Sequence, residues 1–256
     1  MVQKAIIGGT GVYQLGGKGC RQDIKTPYGT VRLYIQRADG GDIAFLPRHG
    51  EGHSLPPHRI NYRANIKALK QLGVKRVLAT AAVGSLNPSF PPGSLVVLDQ
   101  FIDFTKTRAV TFYDGEEGVI HADMADPYCP ELISALEKKG KHTGAGIEGR
   151  GTYICVEGPR FETKAEIKYF RLIGGDMVGM TNVPEVVLAR ELGLCYSAVG
   201  IVTNWCNGMV EKPISHHEIF EIMKRGRDKL TGLFTDVFAS EQYGNKCSCS
   251  KGIIRL

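Results

Sequence analysis

Phe161-Glu162, Met180-Thr181 and Thr203-Asn204 together supply an aromatic face, a carboxylate, a thioether, hydroxyls and a carboxamide. That set suits a purine nucleoside, gripped by its ring face, its ring edge and its sugar. The edge chemistry has a direction. A 6-oxopurine offers an N1–H donor and an O6 acceptor, whereas adenine offers an N1 acceptor and an amino donor. A carboxylate from Glu162 accepts from N1–H and repels the adenine lone pair. The Asn204 amide donates to O6 and accepts from N7–H. Both residues therefore favour hypoxanthine or guanine, and each mispaired buried group costs roughly 1–3 kcal/mol. Plainer roles also fit: Glu162 as a charge at a helix N-terminus, and Asn204 as a strand-end turn residue.

A second set of segments suits an anion. Gly8-Gly9-Thr10-Gly11 is either a cradle of backbone N–H groups with one hydroxyl or a tight turn. Pro47-Arg48-His49-Gly50-Glu51-Gly52-His53 carries a guanidinium fork and an imidazole; it reads as a phosphate site or as a polar surface turn. Thr80-Ala81-Ala82-Val83-Gly84-Ser85 adds small residues at another strand end, where open α/β sheets bind ligands. A dinucleotide fingerprint is excluded, because Gln14 stands where the third glycine belongs and no acidic residue closes a nearby second strand.

The elements that must hold these loops alternate. Strands are expected over 3–8, 31–36, 42–47, 75–81, 94–99, 150–156, 176–180 and 194–203, with 31–36 and 42–47 forming a hairpin. Helices are expected near 59–72, from Asp126-Pro127 to about 139, after Glu162, over 183–192, and after Ser215-His216-His217-Glu218, which has a capping-box pattern. A loop-rich span covers 102–126, and the last dozen residues read as a tail. The expectation is one α/β domain over 1–240 and a tail over 241–256.

Composition sets the limits. The chain has 256 residues, 43% apolar and 23% charged, which is ordinary for a soluble enzyme. It contains no apolar run of about 18 residues, so no membrane span is expected, and with no signal-peptide plan at the N-terminus a cytoplasmic location is the default expectation. The net charge of +6 is spread out, with Glu137-Lys138-Lys139-Gly140-Lys141 reading as a solvated helix end. Nucleic acid is not an expected partner. Seven cysteines show one close pair, Cys247-Ser248-Cys249, so the usual paired spacing of a zinc site is missing. They are either reduced thiols or partly paired.

Taken together, Gly8-Gly9-Thr10-Gly11, Pro47-Arg48-His49-Gly50, Val83-Gly84-Ser85-Leu86, Asp99-Gln100-Phe101-Ile102-Asp103, Glu157-Gly158-Pro159-Arg160-Phe161-Glu162-Thr163 and Met180-Thr181-Asn182-Val183-Pro184-Glu185 resemble the trimeric purine nucleoside and methylthioadenosine phosphorylases. The resemblance runs from Ile6 to about Leu233 and is strongest to the methylthioadenosine branch. It implies a three-layer phosphorylase/hydrolase-like α/β fold whose central mixed twisted sheet is flanked by helices. It also implies cleavage of the N-glycosidic bond by inorganic phosphate as co-substrate, without metal or organic cofactor, in a homotrimer or dimer of trimers. Thr10, Arg48, His49 and Thr181, with backbone at Ala81-Ala82, would bind phosphate. Phe161 would cover the base, Met180 would lie under the ribose, and Glu162 and Asn204 would stabilise the departing base. His121 would reach a neighbour's sugar pocket, and His216 would face the 5′ position or cap its helix.

The chain departs from that branch at Thr203-Asn204-Trp205-Cys206, where an Asp-containing Thr-Asp-Tyr-Asp is usual, and at Glu162, where a small residue is usual. Cys206 thus enters the candidate base pocket. Both changes point to 6-oxopurines, with a 5′-methylthioinosine phosphorylase as the alternative and a methylthioadenosine phosphorylase after it. The tail Cys247-Ser248-Cys249 resembles the CxC tail of some hyperthermophilic archaeal members, which implies disulfides, with Cys129–Cys195 as one candidate and Cys247–Cys249 as another.

Overall fold

The computed structural model describes residues 2–9, 19–38, 40–116, 118–211, 216–240 and 246–255. Its strands are β1 (Lys4–Gly8), β2 (Cys20–Thr26), β3 (Gly29–Gln36), β4 (Ile43–Pro47), β5 (Arg76–Ser85), β6 (Leu95–Phe104), β7 (Ile120–Ala122), β8 (Ile147–Val156), β9 (Met177–Gly179), β10 (Cys195–Trp205) and β11 (Ile253–Arg255). Its α-helices are α1 (Tyr62–Gln71), α2 (Pro130–Thr143), α3 (Lys164–Leu172), α4 (Asn182–Glu191) and α5 (His216–Ala239).

β1 after Lys4, β4 and most of β10 are apolar runs, and they are buried. This is the signature of strands covered on both faces, and they pair in parallel around β5. The sheet order is β10-β6-β8-β9-β5-β1-β4-β3-β2, and β10 also pairs with β5. Five strands (β5, β10, β6, β8 and β9) therefore close into a ring, with the remaining four extending from it. The expected α/β fold with a mixed sheet flanked by helices is the observed one, with this closure added.

The ring creates the crevice that matters. β1 pairs with β5 only as far as Ala79, and β9 takes over the same strand from Gly84. Between them the β5 edge is released by one neighbour before the next arrives. Such a switch in pairing is where α/β sheets leave room for ligands.

Local signals placed some elements better than others. Asn61 caps α1 by accepting from the Ala64 N–H at 3.1 Å. Thr163 and Glu166 form a reciprocal capping box that starts α3 just after Glu162. The second helix does not open at Asp126-Pro127: it starts at Pro130 with Cys129 at its N-cap, since Pro130 also fits the first helical turn. The span 102–126 holds the end of β6 and all of β7, and the tail supplies β11, which pairs antiparallel with β7. Strand β2, charged and mostly exposed, lacks the alternation by which strands are recognised. The capping-box residue Ser215 lies outside the described residues.

Helix α5 lies on β10, and Gly226 allows the approach: a Cβ there would stand 2.7 Å from Ile201 Cγ2. A Cβ on Gly232 of the same helix would meet nothing within 4 Å. Gly232→Ala should stabilise by about 1 kcal/mol through helix propensity. Gly226→Ala should lose that gain to overpacking, leaving the two variants ~1–3 kcal/mol apart. Denaturant unfolding of the pair checks this, and equal stabilities would refute the contact.

Candidate active site

The crevice is a cavity of about 200 Å³. Gly9, Arg48, His49, Ala82 and Thr181 form one part of its wall, and Phe161, Glu162, Met180, Asn204 and Cys206 form another. Segments far apart in sequence thus meet at the carboxyl ends of β1, β4, β5, β9 and β10.

Arg48 follows β4 and is 1% exposed. Its Nε and Nη2 donate to the two carboxylate oxygens of Glu185 at 2.7 and 2.6 Å, and Nη1 donates to the Thr80 carbonyl at 2.7 Å. Three of its five N–H groups are used, leaving one on each terminal nitrogen at the cavity wall. Burial opposes the charge, but Glu185 more than offsets that, and the guanidinium is held cationic. Glu185 also accepts from the Tyr196 hydroxyl at 2.6 Å, and Tyr196 receives the Asn182 amide at 3.0 Å. Tyr128 donates to Asn182 at 2.6 Å. Gly9 is required beside this pair, since a Cβ would stand 2.8 Å from Arg48 Nη1, and its N–H donates to Thr80 Oγ1.

His49 Nδ1 lies 2.8 Å from the Leu55 carbonyl. A carbonyl can only accept, so Nδ1 carries the hydrogen and Nε2 keeps its lone pair in the neutral ring. Burial, aided by the Arg48 charge, lowers its pKa to about 4. The His53 ring stacks 4.3 Å away.

The far side is different in kind. Glu162 is 7% exposed, and its Oε1 has no hydrogen-bond partner among the described residues. Burial pushes this carboxyl up. The Asn204 amide is oriented by its neighbours: Oδ1 accepts from the Thr203 hydroxyl at 2.7 Å, and Nδ2 donates to the Trp205 carbonyl at 2.9 Å. Each end keeps capacity for one further bond. Cys206 is buried, its thiol pushed up by desolvation and so neutral. A Cβ on Gly84 would meet its sulfur at 2.6 Å, so glycine there keeps the wall thin. Phe161, 47% exposed, stands at the mouth. The cavity wall thus combines a held cation, a carboxyl, an amide and apolar side chains.

Other sequence candidates fall elsewhere. Ala81 is buried inside β5 and does not line the cavity, although Ala82 does. His121 sits on β7, exposed and away from this cavity. Thr10 and the His216 side chain lie outside the described residues; Ile219, three residues along α5 from His216, lines the wall. Tyr196 carries no signal in the sequence, and Thr80 stands there only as a member of the Thr80–Ser85 segment; with Glu185 they hold Arg48 in place. The only signal for Glu185 was its place in the Met180–Glu185 run. No disulfide joins the cysteines; Cys129, Cys195, Cys247 and Cys249 instead share one cluster.

Comparison with known proteins bears on this geometry. The family described as the phosphorylase superfamily matches residues 3–239. A 6-oxopurine nucleoside phosphorylase of Pyrococcus furiosus is 48% identical, over 99% of this chain and 98% of its own. A probable S-methyl-5'-thioinosine phosphorylase of Methanopyrus kandleri is 46% identical, over 99% and 98%. Among solved structures, a methylthioadenosine phosphorylase from an antarctic soil metagenomic library superposes with a TM-score of 0.89 at 36% identity, covering 98% of this chain and 90% of that one.

Glu185→Gln should destabilise the fold by about 3–5 kcal/mol, because it leaves a buried guanidinium uncompensated; equilibrium unfolding measures it. His49 gives a pH signature. Its folded pKa of about 4 lies below the unfolded value of about 6.5. The unfolded chain therefore binds the extra proton, and stability falls as pH drops from about 6.5 to about 4, by ~3 kcal/mol from this group. His49→Gln should flatten that part of the profile. An imidazole that titrates near 6.5 in the folded protein, seen by NMR, would refute the assignment.

Proposed function

The chain belongs to the phosphorylase superfamily, and on that footing we propose that it cleaves 6-oxopurine nucleosides with inorganic phosphate, releasing the free base and ribose 1-phosphate. The observation that carries the base assignment is Glu162: a buried carboxyl at the cavity wall with an oxygen left unpaired by the described residues. A purine N1–H is a fitting donor for it, and the remaining N–H of Asn204 fits O6. As the glycosidic bond breaks, electron density moves into the purine, and the bond that Asn204 donates to O6 strengthens with it, while Glu162 holds the ring in register by accepting from N1–H.

Phosphate belongs at the opposite end. The free N–H groups of Arg48 donate to its oxygens, while neutral His49 offers Nε2 to a protonated phosphate oxygen. Thr181 and the Ala82 backbone complete that wall in this reading, with Thr10 as a further ligand. The oxygen nucleophile then approaches the anomeric carbon and offsets its oxocarbenium charge. Arg48 enters the reaction already oriented by Glu185, which lowers the reorganisation needed. No organic cofactor or metal is assigned to the reaction.

A second reading shares the base chemistry and differs at the 5′ end: a 5′-methylthioinosine substrate. The apolar Ile219 at the wall, next to the α5 turn that begins with His216, favours it. For the assembly, we propose a homotrimer or a dimer of trimers in which His121, distant from its own cavity, serves a neighbour's sugar pocket. Among the described residues no helix is long and apolar enough to cross a membrane, and a cytoplasmic location is part of the proposal.

The direct test is base release from inosine, guanosine, adenosine, methylthioadenosine and methylthioinosine, each with and without phosphate. Phosphate-dependent release from the 6-oxopurines is expected, and release from adenine nucleosides alone would overturn the base assignment. Asn204→Asp should lower kcat/KM for inosine by roughly ten- to a hundredfold, the equivalent of 1–3 kcal/mol, and improve adenine nucleosides relative to it. An unchanged ratio would remove Asn204 from base reading.

A further inference from the structure

Four cysteines that the reaction does not use come together at the other end of β10. The Sγ atoms of Cys129, Cys195, Cys247 and Cys249 all lie within 4.8 Å of one another, with Cys129, Cys195 and Cys249 buried. We propose that this cluster is a tetrathiolate site for a zinc ion, with the CxC tail completing it.

The placement of each sulfur has a structural cause. Cys129 is the N-cap of α2, and its N–H is tied to the Tyr196 carbonyl at 2.7 Å. Cys195 opens β10, its N–H tied to the Lys75 carbonyl at 2.9 Å. Both sulfurs are thereby fixed on the rigid frame. Cys247 and Cys249 arrive from a segment beyond residue 239, where the family match stops. That segment is pinned by the Lys251 N–H to the Ser248 carbonyl at 2.9 Å, the Asp123 N–H to the Gly252 carbonyl at 2.7 Å, and the β11–β7 ladder. Ser250 also rests against Gly193, where a Cβ would stand 3.3 Å from the Ser250 Cα.

Four sulfurs all within 4.8 Å of one another suit a single centre better than two separate bonds. The approach of Cys195 to Cys247, at 3.2 Å, joins one member of each disulfide pair implied by the resemblance. A tetrahedral ion with bonds of about 2.3 Å needs sulfurs about 3.8 Å apart, so small shifts suffice. An all-sulfur tetrahedral set selects zinc over hard cations such as magnesium or calcium. Arg190 supplies charge compensation nearby: it is buried, donates to the Asp123 carbonyl at 3.2 Å, and borders Gly252 of the same tail. On binding, each coordinating thiol gives its proton to solvent, and no electron is transferred.

Asn204 lies nine residues along β10 from Cys195, about 30 Å at strand spacing. The ion is therefore structural: it staples the tail to the start of α2 and β10.

The test uses the whole chain, reduced with a phosphine and freed of metal, then given Zn2+ and passed through gel filtration. One zinc per chain by elemental analysis is expected, with four of the seven thiols protected from a thiol reagent. Cobalt in place of zinc should give the thiolate charge-transfer band and strong visible bands of a tetrahedral site. Cys249→Ser and Cys247→Ser should lose the retained metal, and Cys20→Ser, at an exposed position on β2, should keep it. Thiol protection in the unsubstituted chain keeps the test independent of how the variants fold. Failure of the reduced chain to retain zinc, or retention in both tail variants, would overturn the proposal and leave the four sulfurs to disulfides.

Discussion

The buried pair between Arg48 and Glu185 is the constraint around which the site is arranged. Both side chains are fully shielded from solvent, so neither can be charged without the other. The pair bolts the end of β4 to the start of α4, and Tyr196 attaches the same carboxylate to β10. Gly9 on one side and the Thr80 carbonyl on the other leave little freedom to the guanidinium. A buried ion pair is poor evidence of net stability, since desolvation consumes most of its attraction. Its worth here is directional: it fixes the orientation of a guanidinium that lines the cavity.

The two ends of the cavity contrast in how much the protein has already satisfied. Arg48 and Asn204 are largely bonded within the chain, so their orientations are set before any ligand arrives. Glu162 has an oxygen with no partner among the described residues. An unpaired buried carboxyl is costly, and a ligand donor that relieves it is held at that position. Fixed donors on one side and an unmet acceptor on the other give the cavity a polarity that matches an anion and a base edge.

Much of this was legible in residue types. Glu162, Asn204, Arg48 and His49 stand out because polar groups flanked by glycines or strand ends are poor material for a core. The pairing of β3 with β4 and the alternation of strands and helices follow from period and turn chemistry. What stayed hidden depends on the third dimension. Glu185 is one carboxylate among many until the fold sets it against Arg48. The closure of the sheet by β5 and β10 joins two apolar runs whose sequences carry no mark of being neighbours. β2 is hidden for the opposite reason: it is polar on both faces because it lies at the sheet edge. Cys129 and Cys195 likewise gave no metal-site spacing, since their partners come from far along the chain.

The pairing of β7 with β11 sets an order of events in synthesis. β7 leaves the ribosome early, whereas its only ladder among the described residues is with a strand made long afterwards. Domains emerge and fold from the N-terminal side, so the sheet ring can form while the arm bearing His121 still waits for its partner. In this chain the arm bearing His121 is therefore among the last parts of the frame to be fixed, after the strands it leaves behind have paired.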